Sequence, residues 1–142
     1  MPHFSITRLR LRSPSILPVF FIENARIHHE LKDSAGLIEA RVYVDAHRTF
    51  WTLSTWESIA AMRAFRDSGA HRVSMPKLML WCDEAHVGSG EGAAPPDLPA
   101  AFALLKQTGR ASKLKHPAPG HAGMEIAPPK QKFPPAVFGR KG

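Results

Sequence analysis

The stretch "GLIEARVYVDAHRTFWTLSTW", residues 36 to 56, restricts the fold more than any other part of this chain. Ile38, Ala40, Val42 and Val44 share one parity, and Glu39, Arg41, Tyr43 and Asp45 share the other, which is the period-two pattern of a half-buried strand. Ala46 to Arg48 leave room only for a tight turn, and the β-branched and aromatic run "TFWTLSTW" then reads as the returning strand of a hairpin. An isolated hairpin cannot hide its apolar face from water, so the flanking segments must supply more strands and a covering layer.

Those segments supply both. Residues 4 to 12, "FSITRLRLR", alternate as a strand does, although Phe4 and Ile6 lie on one parity and Leu9 and Leu11 on the other. A bulge or a change of covering face accounts for that switch. Pro14 and Pro18 are tolerated in a first helical turn, and a helix is expected from there to Ser34 and Gly36, its stripe Val19, Phe20, Ile22, Ile27 and Leu31 facing the sheet. Ser54 followed by Glu57 has the form of a capping box. A second helix is expected to run on through Ile59, Met62 and Phe65 and to stop at Gly69. "HRVSMPKLMLW" reads as another helical piece with Pro76 as a kink, and "CDEAHVG" as the next strand.

The order βαββαβ implies an α+β, ferredoxin-like antiparallel sheet with its helices on one face. The opposite face carries Glu39, Arg41 and Tyr43 with Phe50 or Trp51, a mixture that suits a dimer interface or a ligand cavity better than open water. This domain is read over residues 1–90. Residues 91–117 read as a linker, a short helix closed by Gly109 and a possible edge strand; residues 118–142, rich in proline and lysine, read as a flexible tail or a segment draped over a partner chain.

The chain carries 19 Lys and Arg against 12 Asp and Glu. Residues 1–92 hold 11 against 10 and residues 93–142 hold 8 against 2, so the net +7 lies almost wholly in the C-terminal part. The lysines there are spread out without interleaved aromatics, so nucleic acid is not the expected partner. The longest bulky apolar run, "ILPVFFI" at 16–22, is far short of a membrane span of about 20 residues. With no secretory h-region at the start, the expected location is cytoplasmic. Cys82 is the only cysteine and reads as a small buried side chain. His28 and His29 are adjacent and cannot share a helix face as a metal pair does, and His86 with Asp83 and Glu84 has no recognised metal spacing.

The run "FWTLSTWESIAAMRAFRDSGAHRVSMPKLMLWCDEA" resembles the dimeric α+β barrel superfamily, which includes antibiotic-biosynthesis monooxygenase-like domains and spheroidene monooxygenase. The likeness rests on Ser54, Trp56, Glu57, Met62, Phe65, Ser68 and His71, with Trp81 beyond, and extends over residues 3 to 90. It implies a homodimer whose two sheets pack face to face, with a cavity between sheet and helices. The fold implied carries cofactor-free oxygenation, haem chemistry and proteins without known activity.

On this reading the chain is a monooxygenase-like enzyme for a hydrophobic or aromatic small molecule, acting without a cofactor or with haem. The alternative is a non-enzymatic ligand-binding or structural homodimer. His71 is the candidate general acid or base, or the axial haem ligand; the bland alternative has its ring bonding a backbone carbonyl and packing against aromatics. Trp51, Trp56, Phe65, Arg41 and Tyr43 are the candidate pocket residues, with Arg41 paired to Glu39 as the competing role. Arg8, Arg10 and Arg12 share a strand face and read as a solvated or edge face.

Overall fold

The computed structural model describes residues 2–92, 94 and 96–139, so parts of the expected linker and the end of the expected tail lie outside the described residues. The elements are β1 (His3–Leu11), α1 (Leu17–Lys32), β2 (Leu37–Asp45), β3 (Thr49–Trp56), α2 (Ile59–Arg66), α3 (Gly69–Trp81), β4 (Cys82–Glu91), α4 (Leu98–Thr108), β5 (Arg110–Ala111) and β6 (Ala136–Phe138). The strands form one antiparallel sheet in the order β5-β4-β1-β3-β2-β6. The expected βαββαβ core is present, with β4 running to Glu91, past the point where the linker was expected to begin.

Register sorts the side chains into two faces. Ile6 lies opposite Leu53 and Gly88, and Arg8 opposite Trp51 and His86; Leu9 lies opposite Phe50 and Ala85 on the other face. Leu9, Leu11 and Phe50 pack under α1 and α3, and Trp56 and Leu37 pack with Leu31 of α1 and with Ala61, Met62 and Phe65 of α2. Phe4, Ile6, Tyr43, Trp51 and Leu53 pack instead against Leu98, Ala101 and Leu105 of α4 and against Ile126. Both faces of β1 are therefore covered, which explains the change of parity along it. A register shift against β4 between Arg10 and Leu11 completes the account.

The cover over Tyr43 and Trp51, expected from a ligand cavity or a second copy, comes from this same chain. After α4 the backbone crosses the sheet from one edge to the other. It leaves β5 on the β4 edge, bonds Ala85 O through Ser112 N at 2.9 Å and Asp83 O through Ala118 N at 2.8 Å, and reaches Val44 O through Lys132 N at 2.9 Å. β6 then pairs with β2. Residues 118–139 thus form a strap over the sheet, with His121 and Ile126 buried beneath it.

Three local expectations change. Ser54 lies inside β3 and accepts from Trp56 Nε1 at 2.9 Å, so it caps nothing. The cap of α2 is Ser58, whose hydroxyl accepts from Ala61 N at 3.1 Å. The helix ends at Arg66, and Gly69, expected to stop it, opens α3 with φ near +57°. A side chain there would collide with the Glu30 carboxylate, which accepts from Ala70 N at 2.8 Å and so places a negative charge on the start of α3. Of the apolar stripe on α1, Phe20, Ile27 and Leu31 face inward, whereas Val19 and Ile22 face solvent, because Glu23 occupies the seam with α3. Its carboxylate bonds Ser74 Oγ and Lys77 Nζ, each at 2.9 Å, and Lys77 and Ser74 hold it below the usual carboxylate range.

Candidate functional site

The connection between α2 and α3, "RDSGAH", folds back on itself, and this return sets His71 in the first turn of α3 rather than past a helix end. Its Nδ1 lies 3.1 Å from the Arg66 carbonyl oxygen. A carbonyl only accepts, so Nδ1 carries the proton and Nε2 holds the lone pair. The ring is half-buried and meets Phe65 edge-on, with centroids 5.3 Å apart. Phe65 in turn lies 5.6 Å from Trp56. Burial lowers the imidazole pKa, outweighing the contribution of the carbonyl bond, and His71 is therefore neutral at neutral pH. Both the contact and the stack belong to the bland alternative, yet the same bond fixes the tautomer in which Nε2 can take a proton.

Around this imidazole stand charges that the sequence reading passed over. Arg66 Nε bonds Asp67 Oδ1 at 3.0 Å, and Asp67 is held below the usual carboxylate range first by that bond and further by Arg72 and His71. Arg66, Asp67, Arg72, Met75 and Pro76 line an open hollow of about 580 Å³. The signal was present in the sequence, since an acid and two arginines lie within five positions of His71 in "RDSGAHR". Beneath the aromatic column, His3 pairs with Trp56 across β1 and β3; it is 8% exposed, and its Nδ1 meets no protein partner.

The other candidates divide. Trp56 and Phe65 belong to the column that ends at His71. Trp51 and Tyr43 are core residues on the opposite face, under α4, and are not gathered with His71. Trp51 donates to Asp45 Oδ2 at 2.9 Å and lies under the Arg8 guanidinium. Arg41 bonds Glu39 at 2.7 Å, which was the competing role for it. Of Arg8, Arg10 and Arg12 only Arg12 is exposed, its Nε donating to the Leu80 carbonyl; Arg8 is 2% exposed and bonds Glu84 at 2.6 Å, and Arg10 binds both Asp83 and Glu84. His86, fully buried beside them, lies 3.0 Å from the His121 carbonyl oxygen, and His121 Nε2 lies 2.7 Å from Ser112 O. Arg8 and Arg10 are neutralised by Glu84 and Asp83, and His121 of the strap closes over His86, so this cluster holds the fold.

Cys82 is buried as expected, and burial pushes its thiol up to about 12, which leaves it inert. Among the described residues no group of three or more His, Cys, Asp or Glu is placed to hold a metal ion, and no helix is long and apolar enough to cross a membrane. A haem would need a flat apolar slot that opens on His71; the hollow formed by Arg66, Asp67, Arg72, Met75 and Pro76 is not lined by His71 and is rimmed by charge, so the residues present do not fit one.

No family model matches the sequence, and no curated protein matches it either. Solved structures do match. A conserved protein from Methanosarcina mazei Go1 is similar at 15% identity with a TM-score of 0.58, over 64% of this chain and 92% of that one. A putative antibiotic biosynthesis monooxygenase from Nitrosomonas europaea is similar at 11% identity with a TM-score of 0.55, over 64% of this chain and 89% of that one. SnoaB, a cofactor-independent oxygenase from Streptomyces nogalater, is similar at 10% identity with a TM-score of 0.55, over 66% of this chain and 94% of that one. These likenesses establish the fold: this chain has the ferredoxin-like α+β architecture of the antibiotic-biosynthesis monooxygenase-like proteins.

Proposed function

We propose that the chain is a small-molecule enzyme of the monooxygenase-like type, in which His71 removes a proton from a hydrophobic or aromatic substrate without the help of a cofactor. The observation that carries the proposal is the state of His71: neutral through burial, its Nδ1–H tied to the Arg66 carbonyl, and its Nε2 holding a lone pair. Phe65, half-buried and edge-on to the ring, favours a flat apolar substrate, whereas Trp56 behind it is core.

The reaction balances with dioxygen as the co-reactant. His71 Nε2 takes a proton from an acidic C–H, leaving a carbanion delocalised into the substrate. The carbanion reduces dioxygen, a C–O bond forms, and the peroxide recovers the proton from the imidazolium. Loss of water then takes the second hydrogen of that carbon, a methylene in the substrate, and leaves a carbonyl. The similarity in fold to a cofactor-independent oxygenase supports this reading.

Oxygen uptake tests it. With phenolic and β-dicarbonyl aromatic compounds as substrates, the wild type is expected to consume dioxygen in step with product. His71→Ala is expected to slow turnover by roughly 100-fold or more, in line with loss of a general base. Turnover unchanged in His71→Ala would reject the assignment. No uptake with any substrate would favour a non-enzymatic domain, to which the core placement of Trp51 and Tyr43 already lends weight.

A further inference from the structure

We infer that one end of the sheet, where β1 and β4 meet the turn between β2 and β3, is a binding surface for single-stranded nucleic acid. His71 takes no part in this surface, and the proposed reaction does not depend on it.

Cations far apart in the sequence meet at that end. Lys115 N donates to Met79 O at 3.0 Å, and Arg12 Nε donates to the next carbonyl, Leu80 O, at 2.9 Å. Arg48 lies across from the end of β1, since Leu11 N donates to Arg48 O at 3.1 Å and Arg48 Nε to Leu11 O at 3.2 Å. Beyond the turn, Lys130 N donates to Asp45 Oδ1 at 2.6 Å and Lys132 N to Val44 O at 2.9 Å. The five residues thus follow one another from the β4 side of the sheet to the β2 side, over roughly 20 Å at the usual strand spacing. Their spread in the sequence made nucleic acid an unexpected partner, and the fold removes that reason.

The acids of the neighbouring strand ends do not cancel this charge. Glu84 and Asp83 are taken by Arg8 and Arg10, and Asp45 accepts from Trp51 Nε1 and from two backbone amides. With those two ion-paired arginines offsetting Glu84 and Asp83, five cations against Asp45 leave four positive charges. None of the five forms an ion pair with a described residue. Arg12, Lys115, Lys130 and Lys132 are exposed and Arg48 is half-buried. Openness to water suits this kind of partner, because the gain comes from counterions released when cations in a line replace them on successive phosphates.

The turn at the middle of the line is kept at a cost. His47 and Arg48 both have left-handed backbones, with φ near 59° and 60°, which asparagine and glycine adopt with less strain. Two basic residues occupy those places instead. Directly after Lys132 comes Phe133, 64% exposed, more than any other large apolar side chain among the described residues. Gln131 Nε2 donates to Phe133 O at 2.8 Å and so steadies the backbone that carries the ring. An open aromatic ring beside cations offers an unstacked base a platform while its phosphates meet the charges, which a duplex with its bases inside cannot use. The linear order of the cations likewise suits a strand better than a flat lipid surface.

Fluorescence anisotropy of the full chain with a labelled oligothymidylate of about 12 nucleotides tests the assignment, alongside the same oligonucleotide paired to its complement and vesicles containing phosphatidylserine. The logarithm of the single-strand affinity is expected to fall linearly with that of salt concentration, with a slope of about −3 for four phosphates. Lys115→Gln combined with Lys132→Gln is expected to flatten the slope to about −1.5 and to weaken binding about tenfold at low salt. Both side chains are exposed and both residues bond the sheet and α3 through backbone nitrogens, so this variant keeps the fold. Lys32→Gln combined with Arg63→Gln removes the same charge from exposed positions on α1 and α2 and is expected to change binding by no more than about twofold. Phe133→Ala is expected to weaken the single strand about fivefold or more at an unchanged slope. Equal losses in the two double variants would trace binding to net charge and overturn the surface. Duplex or vesicles bound as tightly as the single strand, or Phe133→Ala without effect, would overturn the single-strand assignment, and no binding at low salt would overturn both.

Discussion

Arg8 and His86 face each other across β1 and β4, and both are among the most buried polar residues of the chain. Burial lowers the pKa of His86, as it does for His71 and His28. The sign of the effect on stability follows. Each imidazole binds a proton less readily in the folded chain than in the unfolded one, so the unfolded state takes up more protons once the pH falls below about 6.5. Stability is therefore expected to be at its full value above that pH and to fall as the solution is acidified through it. Glu23 and Asp67, both held low by their partners, add a second loss as the pH drops below the usual carboxylate range. Urea unfolding at a series of pH values checks this, and a midpoint that is flat from pH 7.5 to 5.5 would contradict the first part. The candidacy of His71 was legible at this scale because residue type alone admits an imidazole to proton transfer. The burial of Arg8 was not, since alternation shows which side a residue faces and not whether that side is covered.

Strands, helices and their ends were read from local pattern, and the one cap misplaced shows how such patterns compete. Ser54 and Glu57 have the capping-box spacing, yet Ser54 is claimed by β3, where it lies opposite Ser5 and Ala40 and bonds the Trp56 ring. The cap moves to Ser58, the next residue able to provide one. Ser58→Ala is accordingly expected to cost about 1 kcal/mol through loss of the bond to Ala61 N, as measured by chemical unfolding. Gly36 needs its place on two counts: φ is near +85°, and a Cβ would lie 2.5 Å from the Cβ of Ala61. Pro76 sits within α3, as its place in "HRVSMPKLMLW" suggested.

For the whole molecule the decisive feature is the strap. It runs from β5 to β6, ties to both edges of the sheet and closes the face that holds Trp51 and Tyr43. Ile126 is its apolar anchor, packed in the same cluster as those rings. Ile126→Ala is expected to destabilise the chain by about 2 kcal/mol and to move tryptophan emission to longer wavelength as Trp51 becomes wetter. A segment that merely trailed in solvent would give neither change. Such a cover also bears on association, because the polar and aromatic side of the sheet, suited in isolation to a second copy, is engaged by α4 and by residues of the strap.

Taken alone, the sequence determined the number, type and order of the core elements, together with the hairpin at residues 37–56. These depend on side-chain period and on turn residues a few positions apart, so they are written locally. Only the tertiary structure decided that the last third of the chain covers the second face, that Arg8 and Glu84 meet across 76 positions, and that Trp56, Phe65 and His71 form one column. Such meetings follow from how faces pack, and packing is a contest among all the apolar surfaces of a chain that no short window of residues records.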